Sequence, residues 1–463
     1  MATNPYFVLS PSTIVSIIGL LHGPDKTIPK PLEDWREATV DVVIPALNEE
    51  EYIVLCLDSL AKQTLKPNKI LLVDDGSSDR TAEYATKFAQ SINLDLQVIK
   101  RHHPIGKTPT VKRQARESES DVEIILDGDT ILESENYLER LVQELYQGAG
   151  IASACGVVLP MRERDRLAMR EDAPIKRFLE ENPKVSVEVH QNWLHRFDRL
   201  ITNLYRGVLY MFLQRFIYHG QMIFFGSIIN PVGCAVAYRR KFVKELFDHY
   251  EPILGDDLTN SEDIFIGFAL MEQGYRNIQL TDVYCRSIEP EIQNLPKQVY
   301  LWSSSFLQSC YYFDELIRSP FKGMKRYLLH RRGQPNAEEL KGRERRVAQE
   351  PYRQRWGMDH TLKYGRPMGW VLFMSLVEKL FFPVALILMM VMQLWEPLGV
   401  TIAVETVVSL TILAIISEGQ RLEMVFKGLL ITPIRYATLL FDVVTMGRVA
   451  MDLWVKRDRR WRK

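Results

Sequence analysis

The chain has 463 residues, with 58 basic and 58 acidic side chains and no net formal charge. Such a balance exerts no overall pull on nucleic acid or on an anionic surface, so no nucleic-acid partner is expected. Five cysteines, Cys56, Cys155, Cys234, Cys285 and Cys310, include no C-x-x-C pair. This argues against a disulfide framework or a structural zinc and fits reduced thiols in a cytosolic compartment.

Residues 1–39 hold one apolar stretch, Phe7 to Leu21, interrupted by Ser10, Pro11, Ser12, Thr13 and Ser16. It is short for a bilayer span and lacks the basic start of a signal peptide. A helix lying on the membrane surface or on the protein is expected. From Val40 to Leu159, short apolar runs alternate with amphipathic stretches. The runs are Val42–Ile44, Ile70–Val73, Leu96–Ile99, Ile124–Leu126 and Ile151–Leu159, rich in branched residues as buried parallel strands are. Between them Ile53, Leu57 and Leu60, and then Tyr84 and Phe88, fall at helical spacing. Strands alternating with helices predict a doubly wound, mostly parallel α/β sheet.

From Arg162 to Phe225 the pattern turns helical, with an apolar stripe at Ile201, Tyr205, Val208, Phe212 and Phe216. Arg215, His219 and Gln221 break the segment Met211 to Ile229, which is read as packed on the α/β domain. Ala235–Tyr238 reads as a strand. Lys322 to Arg366 is a basic connector. Leu380–Trp395 and Leu398–Ser417 are apolar enough for two spans. Met424–Met446 carries Lys427, Arg435 and Asp442, and charge at bilayer depth is costly, so an interfacial helix is expected there. Basic flanks before the spans and in the tail from Lys456 to Lys463 favour cytoplasmic ends and an even number of crossings.

In open α/β sheets ligands bind beyond the carboxyl ends of the strands, so the polar residues there are informative. Val43 to Glu50 ends a strand and includes Pro45, Ala46, Asn48 and Glu49. It reads as a ligand-facing loop or as a plain turn with Asn48 as helix cap. Asp74-Asp75-Gly76-Ser77-Ser78-Asp79 follows the next strand. Such carboxylates repel unless they meet donors or a cation, although capping explains part of the pattern. Asp127-Gly128-Asp129 closes a further strand. Two carboxylates around a glycine suit a magnesium or manganese ion whose shell is completed by diphosphate oxygens. Ser261-Glu262-Asp263 heads a helical stretch and offers a general base or an acidic cap, with Asp256 and Asp257 as rival carboxylates. Gln298 to Trp302 offers stacking and hydrogen bonds to a sugar, or an ordinary helix face.

In this order the five motifs resemble the family-two glycosyltransferases, in particular the membrane branch with cellulose, chitin and hyaluronan synthases. The likeness runs from Val40 to about Trp302. It implies a glycosyltransferase A-type nucleotide-sugar-binding domain over 40–320, a basic connector over 321–367, a membrane region over 368–447 with two spans and one interfacial helix, and a basic cytoplasmic tail over 448–463. It implies an inverting, multi-pass cell-membrane enzyme with its catalytic domain in the cytoplasm, moving sugar from a nucleotide-diphosphate donor, usually UDP-linked, to a glycan or lipid acceptor.

By this resemblance Pro45, Ala46, Asn48, Glu49 and Asp75 line the nucleotide pocket. Asp127 touches the nucleotide sugar and shares the metal with Asp129. Asp263 is the general base, with Glu262 beside it. Gln298 and Trp302 match the ends of a Q-x-x-R-W motif, Asn230 to Ala235 resembles the acceptor-end segment, and Lys107 resembles a basic donor-side position. Leu301 stands where processive members carry Arg, so Arg286 or the connector is expected to supply the missing charge, or one sugar is added. Two other readings exist. A nucleotidyltransferase would use paired carboxylates but would not need the downstream motifs. A membrane scaffold or an alternative single-sugar transfer to a lipid or polyprenyl phosphate would keep the same fold.

Overall fold

The computed structural model describes residues 11–22, 33–147, 150–183, 185, 193–254, 261–273, 275–313, 317–318, 321, 324, 328, 331–332 and 367–456. The strands are β1 (Val40–Ala46), β2 (Lys69–Asp74), β3 (Leu96–Lys100), β4 (Val122–Leu126), β5 (Thr130–Leu132), β6 (Ile151–Pro160), β7 (Ala235–Arg239) and β8 (Arg276–Ser287). The helices of the first half are α1 (Pro11–His22), α2 (Ile53–Ala61), α3 (Thr81–Ser91), α4 (Lys107–Glu117), α5 (Tyr137–Leu145), α6 (Glu163–Arg170), α7 (Ala173–Glu181), α8 (Trp193–Phe212) and α9 (His219–Phe225). They are followed by α10 (Arg240–Leu254), α11 (Glu262–Glu272), α12 (Leu295–Tyr312), α13 (Pro367–Val391), α14 (Trp395–Ile416) and α15 (Arg421–Ala450).

Among the described residues the strands form one sheet in the order β3-β2-β1-β4-β7-β6-β8-β5. Strands β3, β2, β1 and β4 run parallel, whereas β7 runs antiparallel to both neighbours, β4 and β6. Every strand expected from sequence is present. Successive residues of β1 serve opposite layers, as the pleat requires. Val43 joins a core with α4, α8, α10, α11 and α12. Val42 and Ile44 join the other, with α2, α3 and α5. The carboxyl ends of β1, β2 and β4 therefore lie along one edge.

Two strands escaped the sequence reading. β8 buries Asn277 and Gln279, which break its apolar pattern. Their polarity is satisfied internally: the Asn277 amide donates to the carbonyls of Gly267 at 3.0 Å and Ile229 at 3.3 Å, and Gln279 donates to Gln214 at 2.8 Å. Three-residue β5 is too short for a periodic signal. The segment expected to pack on the domain does so: Leu213, Phe216, Ile217 and Tyr218 are buried in a π-helical turn.

Helix α1 packs through its small polar face. A Cβ on Gly19 would stand 2.7 Å from the Gly220 Cα of α9, and one on Gly220 would stand 2.4 Å from the Ser16 Cα. Ile14, Ile17, Ile18 and Leu21 are left exposed.

Two described helices, α14 and α15, are long and apolar enough to cross a membrane. The second contains Met424–Met446, the stretch expected to be an interfacial helix, whereas the expected span Leu380–Trp395 falls largely in α13, which is not one of these two. That expectation rested on the cost of unpaired charge, and the charges are paired. Arg435 bonds Glu405 of α14, whose carboxylate also accepts from Tyr436 at 2.5 Å and Ser409 at 2.7 Å. Asp442 accepts from Lys379 of α13 at 2.8 Å and from Ser303 of α12 at 2.6 Å. Most of the connector, Asp256, Asp257 and the tail beyond Lys456 lie outside the described residues.

Candidate active site

The β1–α2 loop is shaped by Asn48, whose φ of 59° is in the left-handed region that Asn tolerates better than most residues. Its amide donates to the Ser77 hydroxyl at 2.9 Å and its side-chain oxygen accepts from the Ser78 amide at 2.9 Å. Asn48 thus fastens the loops after β1 and β2 together. It is not the cap of α2, which begins after Tyr52. Asp79 accepts from the Thr81 amide at 2.9 Å and from the Glu50 amide at 3.1 Å, so its role is partly that of a cap.

Asp75 is buried and accepts from the amides of Ile105 and Gly106, at 3.0 and 2.7 Å, and from Arg101 at 2.8 Å. Its carboxylate fixes the β3–α4 loop, and the next residue of that loop is Lys107.

Lys107 is the hub. Its ammonium lies 2.7 Å from Asp127 at the end of β4, 2.7 Å from Glu262 at the start of α11, and 2.9 Å from the Gly233 carbonyl. Burial alone would lower its pKa, but Asp127 and Glu262 more than offset this and hold it well above the ordinary lysine value. The Gly233 amide in turn donates to Asp263 at 3.2 Å. Asp263 also accepts from the Ser261 hydroxyl at 2.5 Å. A Cβ on Gly233 would stand 2.7 Å from the Asp263 carboxylate, so only glycine permits this approach.

Asp127 and Asp129 flank Gly128, where an added Cβ would meet Ala46 at 3.2 Å and Glu49 at 3.3 Å. This brings Glu49 beside the pair. Burial, then the charges of Asp129 and Asp127, push the Glu49 carboxyl up to about 9. Burial raises Asp127 and Asp129 to about 6 each, against the opposing pull of Lys107. Three carboxylates thus share a place where they cannot all ionise without a cation. Among the described residues no group of three or more His, Cys, Asp or Glu side chains is arranged to hold a metal unaided. Magnesium or manganese held by one or two carboxylates and diphosphate oxygens needs none.

Gln298 and Trp302 are both engaged by Arg206 of α8. The guanidinium bonds the Gln298 side chain, stands 4.2 Å over the Trp302 ring, and pairs with Glu289 at 3.2 Å. Arg206 and Glu289 are each 1% exposed. Glu289 is near enough for its charge to contribute to the raised Asp129 pKa. The expected substitute for the missing Arg at Leu301, Arg286, is instead tied to Glu133 and Asp165 at 2.8 and 3.1 Å. Sequence reading missed Arg206 and Glu289, because two isolated residues in different elements give no motif.

Residues 41–247 match the model of Glycosyl transferase family 2. This region is a family 2 glycosyltransferase domain. The chain is 35% identical over 112 residues to an undecaprenyl-phosphate 4-deoxy-4-formamido-L-arabinose transferase of Pectobacterium carotovorum, covering 24% of this chain and 34% of that protein. It is 24% identical over 297 residues to an N-acetylglucosaminyltransferase of Rhizobium sp., covering 63% of this chain and 56% of the relative. It is also similar to a solved mannosyltransferase of Pyrobaculum calidifontis in complex with GDP-Man and Mn2+, at 15% identity and a TM-score of 0.48 over 96% of this chain and 99% of that one. The chain spans about a third of the length of the first curated relatives it matches. The glycosyltransferase domain contains the loops of Asn48, Asp75 and Lys107, the Asp127–Asp129 pair and Gly233. The residues after 247, including Glu262, Asp263, Gln298 and Trp302, lie beyond the match.

Proposed function

We propose that the chain is an inverting glycosyltransferase that moves a sugar from a nucleotide-diphosphate donor, UDP-linked by first choice, to a glycan or lipid acceptor at a membrane. The observation that carries this reading is the Lys107 hub. Through Asp127 on one side and through Glu262 and Gly233 on the other, it links the Asp127–Asp129 turn to Asp263 at the strand ends.

Asp129 and Asp127 would hold magnesium or manganese, with Glu49 adding negative charge. The metal supplies charge neutralisation for the departing diphosphate. Pro45, Ala46, Asn48, Glu49 and Asp75 belong to the loops that would receive the nucleotide. Lys107 would meet donor oxygens. Asp263, oriented by the Gly233 amide and the Ser261 hydroxyl, would accept the acceptor's hydroxyl proton as the new bond forms, with Glu262 keeping Lys107 in place. Gln298 and Trp302 would face the donor and acceptor. Arg206 is the candidate for the positive charge that Leu301 does not supply. A lipid acceptor is supported by α14 and α15 beside the domain and by the lipid named for the Pectobacterium relative.

The test is purified full-length protein with manganese and a panel of nucleotide sugars, read as diphosphate release and product mass. One sugar nucleotide should be turned over, and Asp129→Asn should reduce release by at least a hundredfold. If no nucleotide sugar is bound or consumed, the reading fails. The proposed multi-pass topology, with the catalytic domain cytoplasmic, predicts that a reporter fused after Lys463 is cytoplasmic, and an external reporter would require an odd number of crossings.

A further inference from the structure

A cavity of about 830 Å³ lies between the end of β6, α6, α8 and the α14–α15 turn, with none of the site carboxylates in its lining. Seven arginines and one lysine line it against three glutamates. Most of these cations are already engaged: Arg196 with Glu163 at 3.3 Å, Arg162 and Arg164 with Asp165 at 2.9 and 3.8 Å, Arg199 with the Glu289 carbonyl at 2.6 Å, Arg286 with Glu133 and Asp165, and Lys427 with Glu423. The lining nevertheless keeps an excess of positive charge. Ser417, in the α14–α15 turn, adds a hydroxyl that is 1% exposed and has no hydrogen-bond partner among the described residues. Arginines and a buried hydroxyl facing an empty volume suit phosphate oxygens, which guanidinium groups meet with two parallel hydrogen bonds.

The rest of the wall is apolar, with Leu200, Met211 and Met424. Both elements that carry these residues turn further apolar side chains outward next to the cavity. On α8, Trp193, Phe197 and Leu200 share one face at helical spacing, and Trp193 is 70% exposed. On α15, Leu422 is 87% exposed and Phe426 is exposed beside it. A basic chamber bordered by outward apolar and aromatic residues, beside two helices able to span a bilayer, matches a headgroup at the membrane interface. A free nucleotide would have no use for that border.

We propose that this cavity binds the phosphate headgroup of a lipid, with the acyl or prenyl tail leaving between the starts of α8 and α15. The site rests on the membrane reading of α14 and α15 and is independent of the sugar transferred. Its inner wall includes Tyr210, whose hydroxyl bonds Glu289, the partner of Arg206. A bound lipid phosphate therefore stands one side chain from the donor-side guanidinium.

The probe is short-chain phosphatidic acid, titrated onto the full chain in neutral detergent, beside phosphatidylcholine of the same chain length and inorganic phosphate. Phosphatidic acid should bind saturably and at least tenfold more tightly than either control. The double variant Arg196→Gln/Arg215→Gln should weaken it about tenfold. Equal binding by phosphatidylcholine would show that an open phosphate monoester is not what the site recognises, and equal binding by inorganic phosphate would make this a free-anion site. Either result overturns the proposal, as does a double variant that binds like the parent. UDP binding with manganese, measured on the same samples, reports folding of the variant. Should the double variant lose it, Arg215→Glu at an exposed position replaces it under the same criteria. Absence of UDP binding in the parent would count against the proposed transferase function and leave the lipid result standing.

Discussion

Two regions of the molecule bury charge in opposite ways. In the C-terminal helices α13 to α15 the books are closed: Arg435 meets Glu405, Tyr436 completes that carboxylate, and Lys379 meets Asp442 with Ser303 between them. At the strand ends Lys107 answers Asp127 and Glu262, while Glu49 and Asp129 are left to repel each other. The contrast separates charge that holds helices together from charge that waits for a ligand. A closed network favours one packing, and an open one stores affinity for a cation.

The comparison is broken most sharply at Asp263. If the open site is catalytic, Asp263→Asn should cut sugar transfer by about 10²–10⁴-fold while the donor dissociation constant changes less than about threefold, as seen by titration with a nonreacting donor analogue. Equal loss of both would make Asp263 a structural residue. In the closed region, Arg435→Met should cost about 3–5 kcal/mol by leaving Glu405 buried without its cation, and Arg435→Met/Glu405→Leu should recover most of that loss. Thermal unfolding in detergent checks this, and a double variant no better than the single one would deny that the pair is closed.

Smaller effects sharpen the difference. The proposed metal binding would require ionised Asp127 and Asp129, both raised to about 6. Manganese affinity should therefore climb roughly tenfold or more between pH 5 and 7 and then level off, as measured by titration calorimetry. A flat profile would remove the metal from these carboxylates. The smallest change concerns stability without metal. A carboxylate raised in the folded chain binds its proton more tightly there than when unfolded, so it subtracts stability as pH rises from about 4 to about 6. Asp129→Asn removes that term and should stabilise the metal-free protein at pH 7.5 by about 1 kcal/mol, with little effect at pH 4. A destabilised Asn variant would show that Asp129 is held by partners rather than strained by neighbours.

Much of this arrangement was legible in the sequence. The runs Val42–Ile44, Ile70–Val73 and Ile124–Leu126 announce buried parallel strands because nothing polar interrupts them, and their acidic endings mark the ligand edge. Asp127-Gly128-Asp129 and Ser261-Glu262-Asp263 could be found because their residues are adjacent. The partnerships could not. Lys107 and Glu262 lie 155 positions apart, and their ion pair forms only once α4 and α11 flank the same edge. The pairing of Arg206 with Glu289 depends on how α8 packs against the segment between β8 and α12. β8 was obscured by Asn277 and Gln279, polar residues that the fold satisfies internally. The charges of α15 show only their cost in composition, and packing alone shows their counter-ions.

The contact of α1 with α9 divides that short helix into a fixed half and a free half. Where Ser16, Gly19 and Gly220 bring two backbones together, even one extra carbon has no room. Ile14, Ile17, Ile18 and Leu21 are exposed on the other side, so their lengths and branching can vary without touching that contact. Related chains would then differ along the outer stripe and agree along the inner one, leaving the domain beneath undisturbed.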